Sequence, residues 1–170
     1  MSLLMRMMQQ PYFKDKKILV VDHSQKTAND RTWCFWEKEA GLFESIITHQ
    51  WRNVNFFADT FSATLNLSPY TYKMIQASDL YAYVKQAALT HKNIEWRCEQ
   101  VKAVDENGGV KLETEELTAD WIFNSIIFPK DVPLRSKGYH LLQHFTGWMI
   151  ETGKEYFGCR GLSLLHRQLP

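Results

Sequence analysis

The sequence lacks an excess of charge of either sign, because 20 Lys and Arg residues stand against 19 Asp and Glu residues. The net charge of +1 gives no overall electrostatic case for nucleic acid or an anionic membrane surface as a partner. Cysteine is also scarce: Cys34, Cys98 and Cys159 show neither CxxC spacing nor a metal-like spacing with histidine. We therefore expect reduced thiols, a cytoplasmic location and no metal site.

Long apolar runs are absent as well. No segment approaches the roughly 18 to 20 apolar residues of a membrane-spanning helix. The first ten residues, MSLLMRMMQQ, lack the apolar core and the cleavage site of a signal peptide. Apolar residues nevertheless make up 45% and aromatic residues 14% of the chain, so the sequence is expected to fold around a core rather than to be disordered.

Apolar spacing in the first half predicts a β-rich middle flanked by helical and strand-forming segments. The predicted elements are a helix over residues 2–10, a strand buried on both faces over 18–21, a long loop that enters a short helix near 37–43, and antiparallel strands over 46–57, 61–67 and 70–75. Ser68-Pro69 marks a turn between the last two strands.

The second half predicts one strong helix followed by mostly extended chain. Residues 78–91 have helical apolar spacing, with Ser78 or Asp79 as the N-cap. The predicted strands are 94–104, 110–114, 120–127 and 141–152, with a hairpin turn at Glu106-Asn107-Gly108-Gly109.

Glycine is missing where a dinucleotide-binding fold needs it. Such folds place a glycine-rich turn after their first strand, and an acid about 20 residues later binds the ribose hydroxyls. Asp22 stands where that acid belongs, yet all eight glycines lie at position 41 or later. We therefore interpret the chain as beginning inside the first helix of such a domain; the alternative for Asp22 is an ordinary acid at the end of a strand.

The order of the elements is typical of flavin proteins that insert a substrate-binding sheet into a dinucleotide fold. The predicted fold is α/β: an incomplete FAD/NAD(P)-binding, Rossmann-like domain with an inserted antiparallel β-sheet. Strands 18–21 and 122–127 are expected to be neighbours in one parallel sheet. We assign residues 1–152 to this domain, with substrate-domain strands at about 46–75 and 139–152, and residues 153–170 to an unmatched tail.

Three segments resemble bacterial lycopene cyclases, which are flavin-dependent enzymes of carotenoid synthesis. ILVVDHSQKTANDRTWCFW at residues 18–36 is similar to the family's strand, acid and aromatic loop. YKMIQASDLYAYV at 72–84 resembles the entry into the next helix, and LLQHFTGWMIET at 141–152 resembles the QHFxGWxIET segment. The glycine motif and the acid-bearing IExT-type segment of the family find no match, so the resemblance implies an N-terminal fragment.

The resemblance implies a redox-neutral reaction on lycopene, an apolar C40 polyene. An acid protonates a terminal double bond, the internal alkene attacks the resulting cation, and proton loss gives a β-ionone ring. The family is thought to use reduced FAD, with NADPH as the reductant. Such a substrate leaves open a peripheral association with the inner membrane, whereas ring number and oligomeric state are not implied.

The resemblance also implies a set of site residues. Most of them have an alternative interpretation as purely structural residues. Asp22, Arg31 and the backbone of Val101 would bind the cofactor, although Val101 serves equally well as strand core. The aromatic side chains of Trp33, Phe35 and Trp36 would line the substrate slot or pack in the core. Glu151 is the candidate catalytic acid, because it is the only acid within an apolar matched segment.

Two other classes of function compete with a cyclase. A related flavin enzyme, such as an aromatic hydroxylase or a geranylgeranyl reductase, would need net redox turnover, and the string DRTWCFW argues against it. A truncated, non-catalytic gene product is the other alternative. Without the glycine turn, we expect the 170-residue chain to bind FAD weakly or not at all.

Overall fold

The computed structural model describes residues 1–58 and 60–126, together with the backbone of one strand at Leu162–Leu165. Two compact units share these residues. The first comprises residues 1–99 and the strand Leu162–Leu165, and the second comprises residues 100–126. The predicted strand at 141–152, the substrate-domain strands at 139–152 and the tail outside 162–165 lie outside the described residues.

The first unit contains two α-helices and eight strands. The helices are α1 (Ser2–Met8) and α2 (Ala77–Ala88), and the strands are β1 (Ile18–Asp22), β2 (Thr32–Glu37), β3 (His49–Trp51), β4 (Asn53–Ala58), β5 (Phe61–Asn66), β6 (Thr71–Gln76), β7 (Ile94–Cys98) and β11 (Leu162–Leu165). Short 3-10 helices occur at Pro11–Phe13 and Glu44–Ile46. The predicted α1, β1 and α2 are confirmed in place, as are the strands predicted over 61–67 and 70–75 and the turn at Ser68-Pro69. The strand predicted over 46–57 is instead two strands, β3 and β4, and residue 46 ends a 3-10 helix.

A parallel pair of strands positions the candidate site. β1 pairs with β7 in the register Ile18↔Ile94 to Asp22↔Cys98, so both strands end at the same edge. This corrects the prediction that residues 122–127 are the parallel neighbour of β1. Residues 120–126 form no strand, and Trp121 and Phe123 are 78% and 62% exposed. The prediction failed because an apolar run alone does not distinguish a buried strand from irregular chain. β7 is the nearer candidate along the chain, because it follows directly on the helix that packs in the core.

β1 is covered on one face rather than on both. Ile18 and Val20 pack against the core, whereas Leu19 between them is 37% exposed. The prediction of a strand buried on both faces is therefore wrong for the described residues. The β-branched composition of β1 suits a half-buried strand equally well, because alternate side chains of a strand point to opposite faces.

The first unit also contains two three-stranded sheets, one antiparallel and one mixed. β6 is the centre of a three-stranded sheet in the order β2-β6-β3, and β4 lies between β5 and the parallel strand β11. The predicted long loop is present over residues 23–31 but ends where Thr32–Glu37 forms a strand, and the short helix predicted near 37–43 is wrong, because residues 38–43 contain no helix. The aromatic residues of this segment suit a pleated strand that has β6 to pair with.

The core of the first unit lies between α1, α2 and the sheets. Its buried members are Leu4, Met5, Ile75, Leu80 and Val84. The α2 residues among them are spaced four apart, as expected for one apolar helix face. Neither predicted N-cap is correct: the cap position is Gln76, which makes no side-chain cap hydrogen bond.

The second unit, over its described residues 100–126, is a small antiparallel sheet. It contains β8 (Ala103–Val104), β9 (Gly109–Lys111) and β10 (Glu116–Thr118) in the order β10-β9-β8. The predicted hairpin turn is confirmed: Gly108 has a φ of +86°, which favours glycine, and Asp105 Oδ1 accepts bonds from the Asn107 and Gly109 N–H groups at 2.7 and 2.8 Å.

The strands predicted around this hairpin are shorter than expected. The predicted strand 94–104 is broken, because β7 ends at Cys98 and β8 begins at Ala103. Val101 is therefore half-buried in a connection rather than in a strand. The returning strand, predicted over 110–114, ends at Lys111, and the Leu112 N–H donates to the carbonyl of Glu115 in a turn.

These elements make the described chain an α/β protein with two parallel strand pairs, β1–β7 and β4–β11, several antiparallel pairs and two α-helices. Over this part of the chain, neither helix has the length and apolar content needed to cross a membrane.

Candidate functional site

A pocket of about 280 Å³ lies in the first unit, lined by the loop that follows β1 and by Tyr81 of α2. Its lining residues are His23, Ser24, Gln25, Lys26, Thr27, Ala28, Asp30, Arg31 and Tyr81. In open α/β sheets, ligands bind outside the carboxyl ends of the parallel strands, which is where this loop begins. The volume suits one polar group of a ligand, since whole ligand pockets usually span about 300–1,000 Å³.

Asp22 ends β1 with its carboxylate about one third exposed. Its Oδ1 accepts hydrogen bonds from the backbone N–H and the hydroxyl of Ser24, at 3.0 and 3.2 Å. Partial burial by itself raises the pKa of Asp22, but the bonds from Ser24 and the ammonium of Lys26 outweigh it, so the pKa lies below its ordinary value. Asp22 is therefore an ionised acceptor at neutral pH.

Lys26 occupies the other oxygen of this carboxylate. Its Nζ lies 3.1 Å from Asp22 Oδ2, and its side chain is only 14% exposed. The ammonium also lies 5.6 Å from the centre of the Tyr81 ring, within range of a cation–π contact. Lys26 thus contacts the Asp22 carboxylate and also lines the pocket.

Asp30 and Arg31 form a second charged pair at the pocket. Arg31 donates to Asp30 Oδ2 from Nε and Nη2, at 3.1 and 2.9 Å. The Tyr81 hydroxyl donates to Asp30 Oδ1 at 3.0 Å. Burial of Tyr81 raises the pKa of this phenol, and the neighbouring Asp30 carboxylate raises it further.

Asn29 anchors the same loop to the start of α2. Its Oδ1 accepts hydrogen bonds from the backbone N–H groups of Ala77, at 3.0 Å, and Ser78, at 3.5 Å. Its Nδ2 donates to Gln76 Oε1 at 3.1 Å, and the Ala77 N–H also donates to the Arg31 carbonyl. The helix cap that the sequence analysis assigned to Ser78 or Asp79 is thus supplied by a residue about 50 positions earlier in the chain.

The three aromatic residues predicted to line a substrate slot lie on two faces of β2. Trp33 and Phe35 pack against the core, and the Trp33 ring meets Tyr81 edge-on with centroids 5.8 Å apart. Trp36 points to the opposite face, is 54% exposed and stacks against Tyr72 with centroids 4.5 Å apart. The structure therefore does not bring the three rings onto one surface.

A buried ammonium lies on the core-facing side of β6. Lys73 is 4% exposed, and its Nζ donates to Glu44 Oε2 at 2.5 Å, Glu37 Oε2 at 2.9 Å and the Glu39 carbonyl at 3.4 Å. Burial alone lowers the pKa of Lys73, but the carboxylates of Glu44 and Glu37 outweigh burial and raise it. Each of the three N–H groups of the Lys73 ammonium thus has an acceptor, and these bonds attach the segment after β2 to β6.

Two of the predicted site residues are not among the described residues that line this pocket. Val101 belongs to the second unit, and Glu151 lies outside the described residues. Sequence reasoning missed Lys26, Asn29, Asp30 and Tyr81. The matched string NDR carried a signal for Asn29 and Asp30, whereas Lys26 and Tyr81 carried none. Within the described ranges, no three His, Cys, Asp or Glu side chains lie close enough together to hold a metal.

Comparison with known proteins assigns the chain to a family. The model of the lycopene cyclase protein family matches residues 5–166, which is nearly the whole chain. Neither the curated proteins nor the solved structures contain a significant match. The family match includes the strand–acid–loop segment that forms the pocket as well as the β2 aromatic residues. The chain therefore belongs to the lycopene cyclase family.

Proposed function

We propose that the protein acts in the conversion of the ψ-ends of lycopene into β-ionone rings by acid-initiated, redox-neutral cyclisation. The observation that carries this proposal is the family match over residues 5–166. It favours a cyclase over the related hydroxylases and reductases considered from the sequence. The expected ligand is an apolar polyene, which would dissolve in a membrane. We therefore propose a cytoplasmic protein in peripheral contact with the inner membrane.

The reaction sets three chemical demands. Protonating an alkene needs a neutral carboxylic acid, whose pKa an apolar site must raise. The carbocation needs shielding from water, and negative or π-electron density stabilises it. We retain Glu151 as the candidate acid on the basis of its apolar segment alone. Trp36 is the aromatic candidate that a substrate can reach directly, whereas Trp33 and Phe35 contribute through the core that supports β2.

The loop after β1 is the proposed site of the adenosine ribose of FAD. Asp22, an ionised carboxylate at the end of β1, lies next to the pocket and is paired with Lys26, which lines it. Asp22 would accept the ribose hydroxyls and Arg31 would contact the cofactor from the pocket wall, whereas the proposal that the Val101 backbone meets the adenine rests on the sequence resemblance alone. Reduced flavin, when bound, supplies negative charge that stabilises a cationic transition state.

The parallel β1–β7 pair supports a larger fold proposal. A strand ending in an acid, an antiparallel insert, a helix and a parallel return strand follow one another along the chain. We propose that these elements are part of an FAD/NAD(P)-binding, Rossmann-like domain in which β2 to β6 are the insert.

Pigment analysis in a lycopene-accumulating host tests the proposed function. We would express the 170-residue chain and a form extended at both ends with the corresponding segments of another family member. The extended form should yield γ- or β-carotene, because the added segments supply the glycine turn that binds the cofactor pyrophosphate, and the products of the 170-residue chain are measured beside it. An extended form that is folded and yellow with flavin but makes no cyclic carotenoid would refute the proposal.

The candidate acid needs its own variant. In the extended form, Glu151→Gln should abolish cyclic products while leaving flavin content and thermal stability unchanged. Glu113→Gln is the matched control, because Glu113 is half exposed and pairs only with Lys102 in the second unit. Full activity of the Glu151→Gln form would remove Glu151 from the reaction.

A further inference from the structure

Lys26 adopts a backbone conformation that is unusual for its residue type. Its φ is +51°, and among the described residues it is the only non-glycine with a positive φ. Non-glycine residues in this left-handed region carry strain, which persists where the surrounding contacts stabilise it. The contacts of the Lys26 side chain are the carboxylate of Asp22 and the face of Tyr81.

These contacts use the acceptor positions that a ribose would need. Asp22 Oδ1 already receives two hydrogen bonds from Ser24, and Asp22 Oδ2 receives the ammonium of Lys26. His23 adds no hydrogen bond, since its Nδ1 lies 3.6 Å from Oδ1. A vicinal diol binds a carboxylate by donating from both of its hydroxyls, so it must share or displace these donors.

Lys26 is the donor that can be displaced. The Ser24 contacts come partly from a backbone N–H beside the strand end, whereas the lysine ammonium is carried on four rotatable methylene groups. The pair is largely buried, with side chains 14% and 31% exposed, so the hydrogen bonds of a diol must replace the ion pair at Asp22 when the ammonium moves into solvent. Release of Lys26 also lets its strained backbone relax.

We propose that Lys26 competes with the ribose diol for Asp22 and thereby sets the affinity of this pocket for adenosine nucleotides. This inference rests on the proposed role of the pocket as an adenosine site. On this proposal Lys26 controls the affinity for the ligand. The loop from His23 to Ala28 then has two arrangements: in one Lys26 is bound to Asp22, and in the other the ribose is bound there.

Nucleotide binding to charge-matched variants tests the proposal. The probes are AMP and 2′-deoxy-AMP, which differ by one ribose hydroxyl, and binding is followed by the amide NMR shifts of Ser24 and Thr27. Lys26→Met keeps the length of the side chain and removes the ammonium. It should bind AMP about two- to fivefold more tightly than the unmodified chain, with no gain for 2′-deoxy-AMP.

Controls separate competition from other effects. Lys92→Met removes an exposed lysine at the opposite end of β7 and should change neither affinity. Asp22→Asn should remove the gain when it is combined with Lys26→Met. Thermal melting of the ligand-free forms should show Lys26→Met slightly less stable, so a purely structural role would lower stability without raising affinity. Lys26→Gln provides a second variant if Lys26→Met fails to fold.

Each other result overturns the proposal. Unchanged or weaker AMP binding by Lys26→Met would show that Lys26 is neutral or a ligand contact. An equal gain for 2′-deoxy-AMP would make the effect a general one of charge. No AMP binding by either form would remove the pocket as an adenosine site, whereas the pigment assay would still judge cyclisation separately.

Discussion

The carboxylate of Asp30 accepts a hydrogen bond from the hydroxyl of Tyr81, 51 residues later in the chain, at 3.0 Å. This bond ties the loop after β1 to the buried face of α2, because Tyr81 is only 3% exposed. The same carboxylate orients Arg31. The pocket is therefore shaped by a contact between the loop and the helix that closes the antiparallel insert.

Removing this hydroxyl should loosen the loop. Tyr81→Phe leaves the ring in the core but deprives Asp30 of its bond, so the melting temperature should fall slightly and the amide exchange of residues 27–31 should quicken. Tyr83→Phe is the matched control, because the Tyr83 hydroxyl makes only a 3.4 Å contact with the Leu42 carbonyl. Equal exchange rates in the two variants would show that the Asp30 bond does not hold the loop.

Asn29 should stabilise the N-terminus of α2 despite its distance in sequence, because its Oδ1 accepts the hydrogen bonds that a cap side chain normally accepts. Asn29→Ala leaves the first N–H groups of the helix without their side-chain acceptor and should cost about 1 kcal/mol of unfolding free energy. Asn29→Asp keeps the acceptor oxygen and should remain close to the unmodified chain in urea denaturation. A large loss in Asn29→Asp would instead assign the effect to the Nδ2 bond with Gln76.

Lys73 should be a stabilising residue whose loss is costly. Lys73→Met removes the ammonium that neutralises Glu37 and Glu44, and we expect the unfolding free energy to fall by about 1–3 kcal/mol, since both carboxylates remain partly hydrated. Adding Glu37→Gln and Glu44→Gln should recover part of this loss, because no unpaired charge is then left. A further loss in the triple variant would show that the carboxylates stabilise the fold without Lys73.

Acid should remove the stabilisation that Asp22 provides. The pKa of Asp22 is lower in the folded chain than its ordinary value of 3.8, so the contribution is complete above that value and is lost as the pH falls through the lower folded pKa. The difference in unfolding free energy between the unmodified chain and Asp22→Asn should therefore be constant from pH 7 to about 5 and shrink below about 4. A difference that grows on acidification would contradict this sign.

The local pattern of the sequence predicted elements whose stability is local. The apolar spacing of α2 and the alternation within β5 and β6 depend on which side chains are apolar, and these elements appeared close to their expected bounds. The hairpin at Gly108 was predictable for the same reason, since a glycine at positive φ and an aspartate acceptor are both local requirements. Asp22 could likewise be singled out from the sequence, because the run ILVV that precedes it already predicts where the strand ends.

The sequence by itself thus determined α1, α2, β1, β5 and β6, the acid at the end of β1 and the family resemblance. Only the tertiary structure decided that β7 is the parallel partner of β1, that the Trp33 segment is a strand, and that Lys26 and Asn29 of the loop after β1 contact α2. The physical reason is that strand pairing, caps supplied from afar and buried ion pairs depend on groups distant in the chain, whose meeting no local pattern records.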